Sequence, residues 1–109
     1  MIIKIVVSAL AVLIAGYVVP GVDIDSFLTA LIAAVVLGIL NTFIKPILVI
    51  LTLPINIVSL GLFTIVINVF IIMLASSMVS GFHVDSFFSA LLFSIALSLV
   101  SSILNLFTD

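Results

Sequence analysis

The chain contains no arginine, glutamate, cysteine or tryptophan. Without cysteine there are no disulfides, no thiolate metal sites and no cysteine nucleophile. With two lysines and no arginine there is no basic footprint for nucleic acid. Only six residues carry a formal charge: Lys4, Lys45, Asp23, Asp25, Asp85 and Asp109. A soluble domain carries about a quarter charged residues. What fills the gap is apolar, at 67% of 109 residues. A soluble domain of this size buries only about two thirds of its unfolded surface. The remaining apolar surface would be an aggregation-prone patch. The solvent for this chain is therefore lipid.

A membrane helix needs about 20 mostly apolar residues to cross a hydrocarbon core of about 30 Å. The charges divide the chain into such pieces. They predict an all-α integral membrane protein with four transmembrane helices in a single domain, residues 1–109. The expected spans are 3–20, 26–45, 57–80 and 86–107. The second continues to 52 if the chain passes Pro46 as a kinked helix. The alternative is a short separate helix near the inner interface. Pro46, Pro54 and Asn56 are natural breakers here. Four spans put both termini on one side, together with Lys4 and Lys45. Asp23, Asp25, His83 and Asp85 fall on the other. The positive-inside rule makes the lysine side cytoplasmic. The first segment, MIIKIVVSALAVLIAGYVV, has the look of a signal peptide. Its partner later in the chain makes it part of the fold.

That partner is a duplication. Residues 19–31, VPGVDIDSFLTAL, align without a gap on residues 79–91, VSGFHVDSFFSAL. Gly21 meets Gly81, Asp25 meets Asp85 and Ser26 meets Ser86. In so apolar a chain, matching Gly, Asp and Ser says far more than matching Leu. Each half then reads as a helical hairpin. Repeat 1 covers about 1–49, a linker about 50–60 and repeat 2 about 61–109. Two such hairpins are parallel repeats about an axis along the membrane normal. In each repeated loop the glycine stops one helix. Asp25-Ser26 and Asp85-Ser86 are placed to cap the next.

Polar and small residues inside the spans are the informative ones. Ser94, Ser98, Ser101 and Asn105 share a helical sector of roughly 60°. Their partners in the first repeat are Ala34, Gly38, Asn41 and Lys45. Asn68 lies near the middle of its span and has the strongest need for a partner. Two readings stand. Small residues let helices approach, and Ser or Asn bonds across the seam. Alternatively the same residues line a wetted path formed by several copies. No charge lies mid-membrane, which disfavours a charge-selective filter. Lys4 and Lys45 read as inner-interface anchors that snorkel. Tyr17 and Phe82 read as aromatic anchors at the outer interface. The outer acids with His83 offer a weak cation site. Two helix caps and solvated loop polars are the plainer reading, and His83 has no evident partner to switch. No metal, cofactor or small-molecule substrate is expected. Neither is catalysis, since a lone His beside Asp85 and Ser86 in sequence is not a triad.

The order of VVPGVDIDSFLTALIAAVVLGILN (18–41), KPILVILTLPIN (45–56), LGLFTIVINVF (60–70) and GFHVDSFFSALL (81–92) resembles the bacterial four-span phage holin family, the mycobacterial-type holin superfamily IV. The likeness covers nearly the whole chain. It implies a small inner-membrane protein, homo-oligomeric and pore-forming, and it brings no catalytic residues. Lys45 stands before Pro46 where the family commonly has Arg. Three functions follow: a holin-like protein that self-associates and permeabilises the bilayer, a non-transporting adaptor that organises a complex or lipids, and a small channel or transporter with a path past Asn68 and Ser98.

Overall fold

The computed structural model describes residues 2–108, so Asp109 lies outside the described residues. Helix α1 (Ile2–Val18) leads into a three-residue strand, β1 (Val22–Ile24), from which α2 (Phe27–Ile39) departs. A π-helical turn, Leu40–Ile44, joins α2 to α3 (Lys45–Leu51). The short α4 (Leu53–Val58) precedes α5 (Phe63–Met78), strand β2 (Phe82–Val84) and α6 (Phe87–Thr108).

The helices form because nothing interrupts their apolar runs, and they stop where the local chemistry changes. Pro46 has no N–H to donate, and its ring crowds the carbonyl four residues earlier. The backbone answers by widening: the Lys45 N–H bonds the Leu40 carbonyl across a π turn. The helix therefore runs unbroken from Phe27 to Leu51. It is one of two helices long and apolar enough to cross a membrane, the other being Phe87–Phe107. α1 and α5 are also apolar, with 17 and 16 residues. At 1.5 Å per residue each is about 25 Å long.

The third long helix starts at Phe63, not at 57 as the composition suggests. Residues 53–58 form a helix of their own because Asn56 collects the turn around itself. Its side chain is 7% exposed. Its Nδ2 donates to Thr52 Oγ1 at 3.0 Å, and Thr64 Oγ1 donates to its Oδ1 at 3.0 Å. Its carbonyl accepts from the Gly61 N–H at 2.7 Å. Leu60 and Gly61 then take left-handed conformations, φ 58 and 87, which no helix continues through.

α1 packs against α2 and α6, and α5 against α6 and α2, which closes a four-helix ring. The interior is built on alanine. Ala15, Ala75, Ala30 and Ala90 are all fully buried, and 15/75 and 30/90 are each sixty positions apart. Small side chains let the backbones approach closely. The outward surface is apolar as well: Ile14, Ile32, Phe70 and Leu99 are all exposed. Phe82 is not an interfacial anchor. It is buried against Phe93, with ring centroids 5.5 Å apart. Tyr17 is 86% exposed.

Candidate functional site

Three features bring polar groups together, and each grows from the packing just described. The first is the pair of loops at one end of the ring. β1 and β2 pair antiparallel, with Val22 opposite Val84, Asp23 opposite His83 and Ile24 opposite Phe82. Duplicated positions are swapped in this register, so local two-fold symmetry passes through the Asp23–His83 pair. The flanking bonds obey it: Asp25 N–H donates to the Gly81 carbonyl at 3.1 Å, and Asp85 N–H to the Gly21 carbonyl at 2.8 Å. Both glycines sit at φ 87. A Cβ on Gly81 would lie 2.7 Å from Asp25 Oδ2, and one on Gly21 would collide with Ser89 Oγ. Each loop thus needs the other's backbone and a glycine against the other's side chains. Backbone groups at the edge of a lipid-facing bundle must find partners in the protein or in water. Here the two loops supply each other.

Helix capping in these loops belongs to serine. Ser26 Oγ accepts from the Thr29 N–H, and Ser86 Oγ from the Ser89 N–H, each at 3.2 Å. Asp25 and Asp85 stand one residue earlier, and neither carboxylate caps a helix. The Asp85 carboxylate holds His83 Nε2 at 2.9 Å, with both side chains mostly exposed. His83 therefore does have a partner. Ser89 ties the loops further by donating to the Pro20 carbonyl at 3.1 Å. Ser76 and Gly16, sixty positions apart in sequence, act differently. Ser76 Oγ donates to the Phe82 carbonyl at 3.0 Å and accepts from the Val84 N–H at 3.2 Å. At the equivalent Gly16 the missing side chain instead makes room for Ile24.

The second feature is a polar cleft of about 130 Å³ between α2, α5 and α6. Asn41 and Lys45 line it from the π turn and the start of α3, Asn68 from α5, and Ser94 and Ser98 from α6. Leu37, Ile71, Ile72 and Leu97 complete the walls. α2 lies less closely on α5 than its counterpart α6 does on α1, and the cleft occupies that looser seam. Ser94 Oγ donates to the Leu91 carbonyl of its own helix at 3.0 Å. Among the described residues the side chains of Asn41, Lys45, Asn68 and Ser98 have no hydrogen-bond partner in the protein. They do not bond across the seam. A space of this size and polarity has room for several water molecules.

The third feature is a groove of about 410 Å³ between α1 and α2, lined by Lys4, Ser8, Ala34, Gly38 and Thr42 with apolar neighbours. A Cβ on Gly38 would meet nothing within 4 Å. The small and polar stripe read from the sequence is thus split. Asn41, Lys45, Asn68, Ser94 and Ser98 meet in the cleft, while Ala34 and Gly38 face the groove. Ser101 is half-buried and Asn105 exposed further along α6, and neither lines the cleft. Ser89 is a structural residue that composition does not flag, and Asn56, read only as a breaker, is the hub of its turn. The signal for Asn56 was Thr52 four residues earlier, one helical turn away.

The sequence was compared with known proteins. A family model described as mycobacterial 4 TMS phage holin, superfamily IV, matches residues 1–103. The uncharacterized membrane protein YvlD of Bacillus subtilis is 41% identical over 97 residues, covering 88% of this chain and 82% of that protein. An uncharacterized protein of Streptomyces coelicolor is 40% identical over 87 residues, covering 76% of this chain and 70% of that protein. No solved structure matches.

Proposed function

The chain belongs to the mycobacterial four-span phage holin superfamily IV and is a membrane protein, and on that footing we propose that it is a holin-like protein of the bacterial inner membrane that self-associates and permeabilises the bilayer. In this reading the chain crosses four times, as two parallel hairpins with both termini in the cytoplasm. The reciprocal bonding of the outer loops supports the hairpin symmetry. α1 runs toward the strand pair and α2 away from it, so Lys4 and Lys45 share the opposite end, the cytoplasmic one by charge.

The observation that carries self-association is the groove at Gly38. Ala34, Gly38 and Ser8 keep it open, and among the described residues nothing lies within 4 Å of a Cβ placed on Gly38. In lipid, such small-residue faces are where helices from another copy gain close contact. Assembled copies then place the polar face of α6 around a shared centre that water can follow.

A Cβ at Gly38 meets nothing within 4 Å among the described residues, so a bulkier residue there is expected to report on a second copy. Gly38→Leu is expected to leave the purified chain helical while abolishing crosslinked oligomers and sparing the membrane potential of expressing cells. Wild-type expression is expected to collapse that potential. An intact potential at high wild-type expression counts against permeabilisation and leaves the adaptor reading. The channel reading, which draws on the meeting of Asn68 and Ser98 in one cleft, predicts conduction that Gly38→Leu does not touch.

A further inference from the structure

Lys45 presents a problem of charge. It is half-buried, lines the cleft, and has no acidic partner among the described residues. The described acids, Asp23, Asp25 and Asp85, all belong to the strand-pair end. From Phe27 to Lys45 the helix climbs roughly 27 Å, so none of them reaches it. Around Lys45 the cleft presents Asn41, Asn68 and Ser98, whose side chains have no protein partner, and Ser94. Every one of these side chains has a hydrogen to donate, and among the described residues no carboxylate lines the space. A partly desolvated ammonium with unpaired amides beside it is stabilised by a compact anion that accepts several bonds at once.

We propose that this cleft binds a phosphate group, with Lys45 as its counter-ion and Asn41, Asn68 and Ser98 as its hydrogen-bond donors. The phosphate is carried by the head group of an anionic lipid or by a soluble phosphate. The apolar surface around the bundle favours the lipid, whose chains would lie along exposed helix faces while the head group turns inward. The proposal rests on the membrane reading, not on permeabilisation. It is read by binding, so a chain that retains lipid but leaves vesicles tight refutes only the latter.

The test uses the full chain in mild detergent. Retained phosphatidylglycerol is measured by native mass spectrometry, and orthophosphate is titrated while the side-chain amide signals of Asn41 and Asn68 are followed by NMR. The expected result is retained phosphatidylglycerol that falls about tenfold in Lys45→Gln, returns in Lys45→Arg, and is unchanged in Lys4→Gln. Asn68→Asp, which keeps the shape but adds a negative charge, is expected to lose the lipid too, and it serves if Lys45→Gln fails to fold. Asn signals that respond to orthophosphate without lipid retention uphold the site and assign it to soluble phosphates. Equal retention by wild type, Lys45→Gln and Asn68→Asp with no response to orthophosphate overturns the proposal. So does an equal loss in Lys4→Gln and Lys45→Gln, which would mean general surface charge.

Discussion

Gly21 and Gly81 hold the paired loops, and a Cβ on Gly38 meets nothing within 4 Å among the described residues. The first two combine left-handed backbone with side chains of the opposite loop pressed against the α-carbon. An alanine there pays roughly 1–2 kcal/mol for the backbone alone, and it must also displace Ser89 or Asp25. Gly21→Ala and Gly81→Ala are each expected to lower thermal stability in detergent by at least that much. Gly38→Ala, in an open helical position, is expected to be neutral or to raise it by about 0.5–1 kcal/mol. Circular dichroism melts of the three variants check the contrast. The loop glycines, aspartates and serines were legible in the sequence because such residues are scarce there and recur in the same order. Their division of labour was not. Asp25 and Ser26 are both good capping residues, and only the geometry gives the cap to Ser26 and frees the Asp85 carboxylate for His83.

At the scale of elements, the strands β1 and β2 carry the alternation of a half-buried ribbon. Val22 and Val84 are buried while Asp23 and His83 are exposed. Three residues are too few to be read as a strand, and their partner lies about sixty residues away, so the pairing was invisible to local propensity. Facing residues in an antiparallel pair have α-carbons about 4.5–5.5 Å apart, within disulfide range. The chain has no cysteine of its own. Asp23→Cys combined with His83→Cys is therefore expected to give an intramolecular disulfide under mild oxidation, seen as a thiol count falling to zero without dimer formation. The apolar runs located the long helices, but not the start of α5 at Phe63 or the π turn before Pro46. Both follow from where backbone and side-chain bonds go, through Asn56 in one case and the Lys45 N–H in the other.

At the scale of the molecule, the helical sector groups Ser94 with Ser98 in the cleft, but the packing parts Ala34 and Gly38 in the groove from Asn41 and Lys45 in the cleft. The sector does not say which neighbour a helix meets. The two halves are not packed alike: α6 lies close on α1, while the equivalent α2 is looser on α5. Ser98 consequently faces a polar cleft, and its counterpart Gly38 an open groove. That difference turns one repeated stripe into two surfaces, one suited to a polar occupant and one to a second copy. The five described charges fit this division. The described acids cluster at the paired loops, Lys4 borders the groove, and Lys45 lines the cleft.

The central claim is that assembled copies, joined through the Gly38 groove, make the bilayer leak. Release of an entrapped fluorescent dye from vesicles of bacterial lipid, measured against the amount of protein reconstituted, tests it directly. The account predicts release by the wild type that rises more steeply than in proportion to protein, and none from Gly38→Leu. Vesicles that stay tight at high wild-type density, or that leak equally with Gly38→Leu, would contradict it.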